Sequence, residues 1–488
     1  MRKTYLYSTI IGILLCLTMS AAPRLTVVAV VDGMTTENLT LLRPFWQQGG
    51  LRTLSEEAFQ TTIAYPHLVY GGNETTATLM TGATPDRNGY TMDIYFQRQD
   101  RKQHAMLEDE TAHGIGTSLR LSPRNLLSQT ITDRLRLLHP NAKIYAVGIQ
   151  PETTILLAGH TANACCWLDA ATQQWCTTAY YSEGLPTAAY EQNQNGHIAA
   201  MMAREWYPRM DIVTYSHPTA QERKKGFSYA VKDVLYRAPE ANTLVIDLAL
   251  ELQKQQKMGT DATPDLLMLQ LHALSPKAES DHITSAEQED IYLRLNQDLG
   301  FLMEQLDRRI GRANYQLLVV GRPILGASMQ AMRELQIPVQ QFNADRAAAL
   351  TGTYLMALYG HERWVDGAYG QSIYLNRTLI EQKRLNLEAL QRQVSNFLME
   401  FEGVQIAMPG LDAMRYPMLG STLCKRHTGD VVLMLQPGWQ LMQDEEQAVD
   451  RVIDDNPTSP LFLWSGTLRP MPQQPLTATD VANLIIDK

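Results

Sequence analysis

A short apolar run near the start of the chain ends in a carboxylate that could bind a metal ion. Residues Val27–Val31 are all Val or Ala, and Asp32 follows them directly. Enzymes built on parallel sheets place functional groups at the carboxyl ends of the strands, and a carboxylate there is a good ligand for a divalent cation. Many strands also end in Asp because the side chain stabilises a turn. Asp32 alone is therefore a candidate metal ligand or a turn residue.

Other apolar runs predict the sheet that would position such a group. They lack polar/apolar alternation, which is typical of parallel strands buried on both faces. The runs are Leu25–Val31, Lys143–Ile149, Leu266–Leu271, Gln316–Val320 and Val431–Leu435. Helical patterns lie between them at Asn125–Leu138, Ala286–Ile310 and Leu385–Glu402. Together they predict an α/β fold with a doubly wound, mostly parallel central sheet that has helices on both faces.

Four segments are predicted along the chain. Residues 1–22 form a signal peptide, residues 23–157 the first part of the core, residues 158–240 an inserted cap and residues 241–488 the second part of the core. The cap assignment rests on a composition rich in Tyr, Thr, Asn, Gln and Pro with poor periodicity. The net charge of −9 comes without any Lys/Arg block, so a nucleic-acid partner is not expected.

The N-terminus has the pattern of a secretory signal. Arg2 and Lys3 precede a mostly apolar stretch, and small residues follow it at positions 20–22. An uncleaved anchor is the alternative, and a lipid on Cys16 is disfavoured because no small residue precedes that cysteine. No later run is apolar and long enough to span a membrane. The mature chain is therefore expected to lie in the periplasm or at the outer membrane.

Motifs along most of the mature chain resemble one family. Thr81–Gly89 reads TGATPDRNG and is similar to the TG-x-x-P-x-x-HG element of the phosphodiesterase/nucleotide pyrophosphatase branch of the alkaline phosphatase superfamily. Further matches follow in order at Leu157–Asn163, Pro264–Leu267, Glu289–Leu295 and Lys425–Trp439. The insertion looks most like that of the periplasmic alkaline phosphatases of Bacteroidetes, which use a single Thr nucleophile. The resemblance implies an alkaline-phosphatase-like fold.

The resemblance also implies a pair of metal ions, usually zinc, held by Asp and His side chains. Asp32 matches the first metal-binding Asp and is retained. Ser275 and Glu279 stand where the family has its Asp-x-x-x-His pair, and Arg322 and Pro323 stand where it has an Asp-His pair. Arginine carries a fixed positive charge, which would repel a dication at that position. A last metal-binding His, expected before the final strand, has no counterpart.

The nucleophile and the phosphate-binding residues of the family are replaced as well. Gly72 stands at the position of the Thr nucleophile, nine residues before Thr81, and has no oxygen for attack. Asp93 aligns with an Asn that contacts phosphate, and Gln150 and Glu152 align with a Lys-x-Arg pair. An acid in place of a cation disfavours phosphate on Coulombic grounds.

The replacements favour a pseudoenzyme that uses its relined cleft for binding or assembly in the cell envelope. No catalytic residue and no cofactor are then expected, and the partner would be an envelope protein or a glycan. The alternative is an active, zinc-dependent phosphatase or phosphodiesterase with displaced ligands, for which the candidates are Glu74, Glu279, Asp281 and His282. A hydrolase with its own triad is disfavoured because no Gly-x-Ser-x-Gly or His-Glu-x-x-His motif occurs.

Four cysteines follow the signal sequence. An exported protein permits disulfides, and Cys165 or Cys166 could pair with Cys176 across a hairpin that turns at residues 169–174. The spacing does not resemble a zinc site. The expectation is therefore buried or disulfide-bonded cysteines.

Overall fold

The structure is a computed structural model that describes residues 22–326, 329–444, 447–450, 457–467 and 475–486. Residues 1–21, which include Cys16 and nearly all of the predicted signal peptide, lie outside these residues. The strands are β1 Leu25–Asp32, β2 Phe59–Ala64, β3 Ile94–Gln97, β4 Lys102–Ala105, β5 Gly114–Ile115, β6 Ile144–Gly148, β7 Ala164–Leu168, β8 Trp175–Thr178, β9 Glu205–Trp206, β10 Tyr229–Ala230, β11 Asp265–His272, β12 Tyr315–Arg322, β13 Gln340–Asn343, β14 Val365–Tyr369, β15 Ser372–Leu375, β16 Val404–Pro409, β17 Val431–Leu435, β18 Trp439–Asp444, β19 Gln447–Asp450 and β20 Thr458–Ser465.

Helices of very different lengths connect these strands. They are α1 Thr36–Leu42, α2 Gly50–Glu57, α3 Glu74–Thr81, α4 Pro85–Asn88, α5 Ile131–Leu138, α6 Pro151–Ala158, α7 Thr187–Gln194, α8 His197–Met202, α9 Ala220–Lys225, α10 Val231–Val234, α11 Pro239–Gln255, α12 Ala286–Ile310, α13 Met329–Glu334, α14 Ala344–Tyr359, α15 Arg377–Gln382, α16 Leu387–Leu398, α17 Gly410–Ala413, α18 Leu419–Thr422 and α19 Val481–Ile486. None of the helices within the described residues is long and apolar enough to cross a membrane.

The central sheet has nine strands in the order β2-β20-β12-β1-β11-β6-β7-β8-β5. The five strands from β12 to β7 pair in parallel. Both edges are antiparallel, because β20 pairs with β12 and β2 on one side and β8 pairs with β7 and β5 on the other. The α/β fold is thus confirmed, but the sheet is mixed rather than mostly parallel.

Helices cover both faces of this sheet. Along β1, Val27, Ala29 and Val31 face a core shared with α11 and α12, whereas Val28 and Val30 face a second core formed with α3, α5, α6 and α19. Every residue of β1 is buried. Burial on both faces explains why these strands read as continuous apolar runs.

A smaller antiparallel sheet has its own core and was not foreseen. Its strand order is β14-β15-β17-β16, and its apolar face packs with α14 and α16. The run Val431–Leu435 is therefore a strand, as predicted, but it belongs to this second sheet. Both faces of the run are covered here too, so composition alone could not separate the two sheets.

The segment 158–240 begins inside the central sheet, because its strands β7 and β8 lie between β6 and the edge strand β5. The predicted hairpin is present, and Cys165, Cys166 and Cys176 are buried free thiols, which is one of the two states expected for them. Cys176 lies opposite Trp167, and Cys165 is its diagonal neighbour. Diagonal neighbours in a sheet are ~7–8 Å apart, which is too far for a disulfide without backbone movement.

Candidate functional site

Adjacent parallel strands bring three polar side chains to one edge of the central sheet. Asp32 ends β1 and is in register with His272 at the end of β11 and with Arg322 at the end of β12. The carboxyl ends of parallel strands form the usual site of function in α/β proteins. The candidate site lies at this edge, as the position of Asp32 suggested.

Asp32 and Arg322 form an ion pair at the floor of the site. Arg322 Nε donates to Asp32 Oδ1 over 2.6 Å, and the two side chains are only 2% and 7% exposed. Burial opposes the charge of the guanidinium, but the carboxylate beside it outweighs burial and raises the pKa of Arg322. The guanidinium thus occupies the space beside the retained carboxylate.

The second carboxylate oxygen of Asp32 is engaged as well. Gln270 Nε2 donates to Asp32 Oδ2 over 2.9 Å. The amide oxygen of Gln270 accepts from the backbone N–H groups of Ile149 and Gln150, at 3.0 and 2.8 Å. These bonds fix the orientation of the Gln270 amide, so both oxygens of Asp32 have hydrogen-bond donors.

Asn73, just before α3, and Thr76, within α3, accept hydrogen bonds from the other end of the guanidinium. Arg322 Nη1 donates to Asn73 Oδ1 at 2.8 Å and to Thr76 Oγ1 at 2.9 Å. The hydroxyl of Thr75 turns back to the carbonyl oxygen of Gly72 at 3.2 Å. The threonine hydroxyls nearest to the predicted nucleophile position are therefore occupied by these internal contacts.

Two acidic side chains, Glu74 and Asp93, lie beside Gly72. Asp93 Oδ1 accepts from the backbone and side-chain nitrogens of Asn73, both at 3.1 Å. Glu74 is fully buried, and burial together with the charge of Asp93 raises its pKa to about 7. Burial also raises the pKa of Glu152. The region where phosphate binds in the resembling family is acidic here.

His272 and Arg237 line the same cleft as Asp32 and Gly72. His272 is buried with its ring nitrogens 3.1 and 3.0 Å from the carbonyl oxygens of Leu274 and Ala238. Burial lowers the pKa of His272 to about 4, so the ring is neutral at physiological pH and donates to one carbonyl. Arg237 is half-buried, and burial lowers its pKa. Of these two residues, Arg237 therefore carries the positive charge.

Some of these residues line a cleft of about 140 Å³, whereas Glu74 is not among its lining residues. It brings together five predicted positions, namely Asp32, Gly72, Asp93, Gln150 and Arg322. Four other predicted positions, namely Glu152, Ser275, Glu279 and Pro323, are not among its lining residues. Ser275 is buried below the surface, and Glu279 is exposed outside the cleft.

The displaced ligands considered for an active enzyme have other partners. The carboxylate of Asp281 accepts from the backbone N–H groups of Ile324, Leu325 and Gly326 at 2.9–3.1 Å. His282 pairs with Glu37 on the surface, where both side chains are at least half exposed. Asp281 therefore holds the loop after β12, and the adjacent His282 points to solvent.

The residues present do not fit the pair of zinc ions that the family resemblance implies. Both oxygens of Asp32 are bonded, and Arg322 places a cation beside them. Across the described part of the chain, no group of three or more His, Cys, Asp or Glu side chains could hold a metal ion. Residues 451–456, part of the stretch that lacks the expected histidine, lie outside the described residues.

Sequence reasoning missed Gln270 and Arg237. Gln270 lies two residues before His272 on the strand beside β1, so its side chain points to the same face of the sheet as that of His272. A predicted pairing of β1 with β11 would therefore have identified Gln270 as a neighbour of Asp32. No local signal marks Arg237, because it enters the cleft from a short 3₁₀ turn before α11.

The model of the type I phosphodiesterase / nucleotide pyrophosphatase family matches residues 26–459. The chain belongs to this family. Alkaline phosphatase PafA of Elizabethkingia meningoseptica is 23% identical over 94% of this chain and 90% of that protein. Alkaline phosphatase PhoV of Synechococcus elongatus is 26% identical over 86% of this chain and 81% of that protein.

Solved structures of other proteins share the fold of this chain. The crystal structure of wild-type PafA superposes with a TM-score of 0.84 at 22% identity and covers 95% of this chain and 96% of that chain. A phosphonoacetate hydrolase from Sinorhizobium meliloti has a TM-score of 0.52 at 12% identity, with the same coverage. The phosphodiesterase family fold predicted from the motifs is therefore confirmed.

Proposed function

We propose that this phosphodiesterase-family protein has lost metal-dependent hydrolysis of phosphoric esters and acts as a binding or assembly subunit in the cell envelope. The Asp32–Arg322 ion pair carries the proposal. Two-metal hydrolysis needs carboxylate and imidazole ligands that face a dication, and a buried guanidinium in that place opposes the charge of the metal. The secretory pattern at the N-terminus supports the envelope location.

The surroundings of the ion pair support the same conclusion. Gly72 offers no nucleophilic oxygen, and the neighbouring Thr75 and Thr76 hydroxyls are engaged within the protein. Asp93 and Glu74 place carboxylates near the expected phosphate position. A phosphoryl group would therefore lack a nucleophile and would face negative charge.

The competing function is phosphoric ester hydrolysis with displaced metal ligands. It would need Asp281 and His282 to turn toward a metal beside Asp32. That movement would strip Asp281 of its backbone N–H donors and leave those buried groups without partners. The energetic cost favours the binding function.

Metal analysis and an activity assay test the proposal. The purified mature protein, supplied with zinc, is expected to hold no stoichiometric zinc and to show no turnover of 4-nitrophenyl phosphate or bis(4-nitrophenyl) phosphate. An Asp32→Ala variant is the control, since trace activity from a contaminant would survive that change. Turnover that a chelator and Asp32→Ala both abolish would contradict the proposal.

Cell fractionation tests the envelope location. The protein is expected in the periplasmic or outer-membrane fraction, with the first residue of the mature chain near position 23. Recovery of the full-length chain in the cytoplasm would contradict this part.

A further inference from the structure

A second, larger cleft lies beside the small antiparallel sheet. Its volume is about 560 Å³, against about 140 Å³ for the cleft at Asp32, and the two clefts share no lining residue. Its lining comes from α15, α16 and α17 and from the chain around residues 409–415 and 425–429. Ligand clefts in proteins typically measure about 300–1,000 Å³, so this cleft is large enough for a small molecule.

A buried carboxylate holds one cation of this cleft in place. Asp430 is fully buried, and its Oδ1 accepts from Arg377 Nε at 2.8 Å and from Gln391 Nε2 at 3.0 Å. Its Oδ2 accepts from Arg98 Nη1 and from the backbone N–H of Leu375, both at 2.8 Å. Two guanidinium groups thus share one carboxylate, which leaves a surplus of one positive charge. The side chain of Arg377, which lines the cleft, is still 52% exposed, and its terminal nitrogens donate to no other group within the described residues.

Two further cations line the cleft without a partner of opposite charge. Arg415 and Lys425 are exposed, and neither forms an ion pair with any residue that the structure describes. Of the two acids in the lining, Glu388 pairs with Arg392 at 2.7 Å, whereas Asp412 has no ion pair among the same residues. Arg415 and Lys425 add two positive charges to the surplus at the buried carboxylate, and Asp412 removes one. The cleft is therefore positively charged in a chain whose net charge is −9, which favours an anionic ligand.

The acids among these cations favour a ligand that also carries hydroxyl groups. The carboxylates of Asp412 and Glu388 accept hydrogen bonds and cannot donate them. A simple anion such as sulfate has no proton to offer and would be repelled by both. An anion with several hydroxyl groups can instead bond to the carboxylates while its charged group contacts the cations.

Resting on the proposed binding function, we infer that this cleft binds an acidic sugar. Its carboxylate or phosphate group contacts Arg377, Arg415 and Lys425, and its hydroxyl groups donate to Asp412 and Glu388. A guanidinium held at Nε presents its remaining N–H groups in a fixed plane, which suits either kind of oxyanion. The inference does not depend on the loss of hydrolysis, because the two clefts have no lining residue in common.

Isothermal titration calorimetry with the full mature protein tests this inference. The probes are glucuronate and glucose 6-phosphate, and the controls are glucose, which lacks the acid group, and sulfate, which lacks the hydroxyl groups. At least one acidic sugar is expected to bind about tenfold more tightly than either control, because each control leaves one set of lining groups without partners. Binding confined to glucuronate would assign a carboxylate as the acid group, and binding confined to glucose 6-phosphate would assign a phosphate. Equal binding of a control, or no binding of either acidic sugar, would overturn the inference.

Substitutions in the lining separate a site from a general charge effect. Arg415→Gln and Lys425→Gln are each expected to weaken binding of the better acidic sugar about tenfold. Both positions are exposed and outside any ion pair within the described residues, so the fold is expected to persist. Lys225→Gln, at an exposed position on α9 and outside the cleft, removes the same charge and is expected to leave binding unchanged. Unchanged binding in both cleft variants, or equal weakening in Lys225→Gln, would overturn the inference.

Zinc content and turnover of the aryl esters are measured on the same preparations. Absence of sugar binding together with absence of turnover would overturn only this inference. Chelator-sensitive turnover would contradict the proposed loss of hydrolysis, whatever the calorimetry shows.

Discussion

Asp32 and Arg322 are register partners on the adjacent parallel strands β1 and β12, and their side chains meet at 2.6 Å between Oδ1 and Nε. The pairing fixes both charges at buried strand ends, with Asp32 5% and Arg322 2% exposed. A buried ion pair is costly to break from one side, because the remaining charge has no partner.

Substitution of one partner is expected to destabilise the protein strongly. Arg322→Met should lower the free energy of unfolding by about 3–5 kcal/mol, whereas the double variant Asp32→Leu/Arg322→Met should recover most of that loss. Urea unfolding measures both. Arg308→Met, at an exposed position, is the control and should stay within about 0.5 kcal/mol of the parent. A double variant no more stable than Arg322→Met would refute the pairing argument.

Restoring a threonine at the nucleophile position is expected to cost stability without giving activity. Gly72→Thr brings its Cβ to 2.7 Å from Glu74 Oε2, and such overpacking costs about 1–3 kcal/mol. Adding Glu74→Ala should relieve part of the cost. Gly184→Thr is the matched control, since nothing lies within 4 Å of a Cβ there. If Gly72→Thr and Gly184→Thr lowered the melting temperature equally, the cost at Gly72 would not come from crowding against Glu74.

Glu74 is expected to make stability depend on pH. Burial raises its pKa from 4.5 to about 7 in the folded state, so the folded protein binds a proton that the unfolded chain releases between those values. Stability is therefore lost as pH rises through this window. Glu74→Gln removes the titration and should gain about 2–3 kcal/mol relative to the parent between pH 5 and 8. A difference that does not change with pH would show that Glu74 keeps an ordinary pKa.

The neighbours Asp281 and His282 are expected to respond very differently to alanine. Asp281→Ala leaves three backbone N–H groups of the loop after β12 without their acceptor and should cost about 1–3 kcal/mol. His282→Ala removes an exposed pair and should change stability by less than about 0.5 kcal/mol. Zinc binding by the parent that is lost in His282→Ala would instead support the displaced-ligand alternative.

The sequence predicted helix bounds best where a long apolar repeat was the main signal. Helix α12 was predicted with its observed bounds, Ala286–Ile310, because its apolar repeat is long. In the structure Ser285 caps its start by accepting from Gln288 N. The predicted helix Asn125–Leu138 begins only at Ile131, because Thr130 and Asp133 form a capping box there. A capping pair inside a longer helical pattern marks the start better than the apolar pattern does.

Long-range contacts explain what could not be predicted at the site. Position-by-position resemblance placed Asp32, Gly72 and Arg322, which the structure brings into one cleft. It could not show that Arg322 turns onto Asp32 rather than toward solvent, because that depends on the pairing of β1 with β12. The approach of Arg237 depends in the same way on how the segment 158–240 returns to the sheet.

The coupling of Asp32 to Arg322 also constrains how this lineage can evolve. Asp32 could stay if a cation site reappeared at this sheet edge, but Arg322 would have to change. Loss of Arg322 leaves the buried Asp32 carboxylate without its counter-charge, and selection against unstable proteins would remove that form unless a cation bound at once. Substitutions at the other residues that line the cleft should therefore be tolerated more easily than substitutions at Asp32 or Arg322.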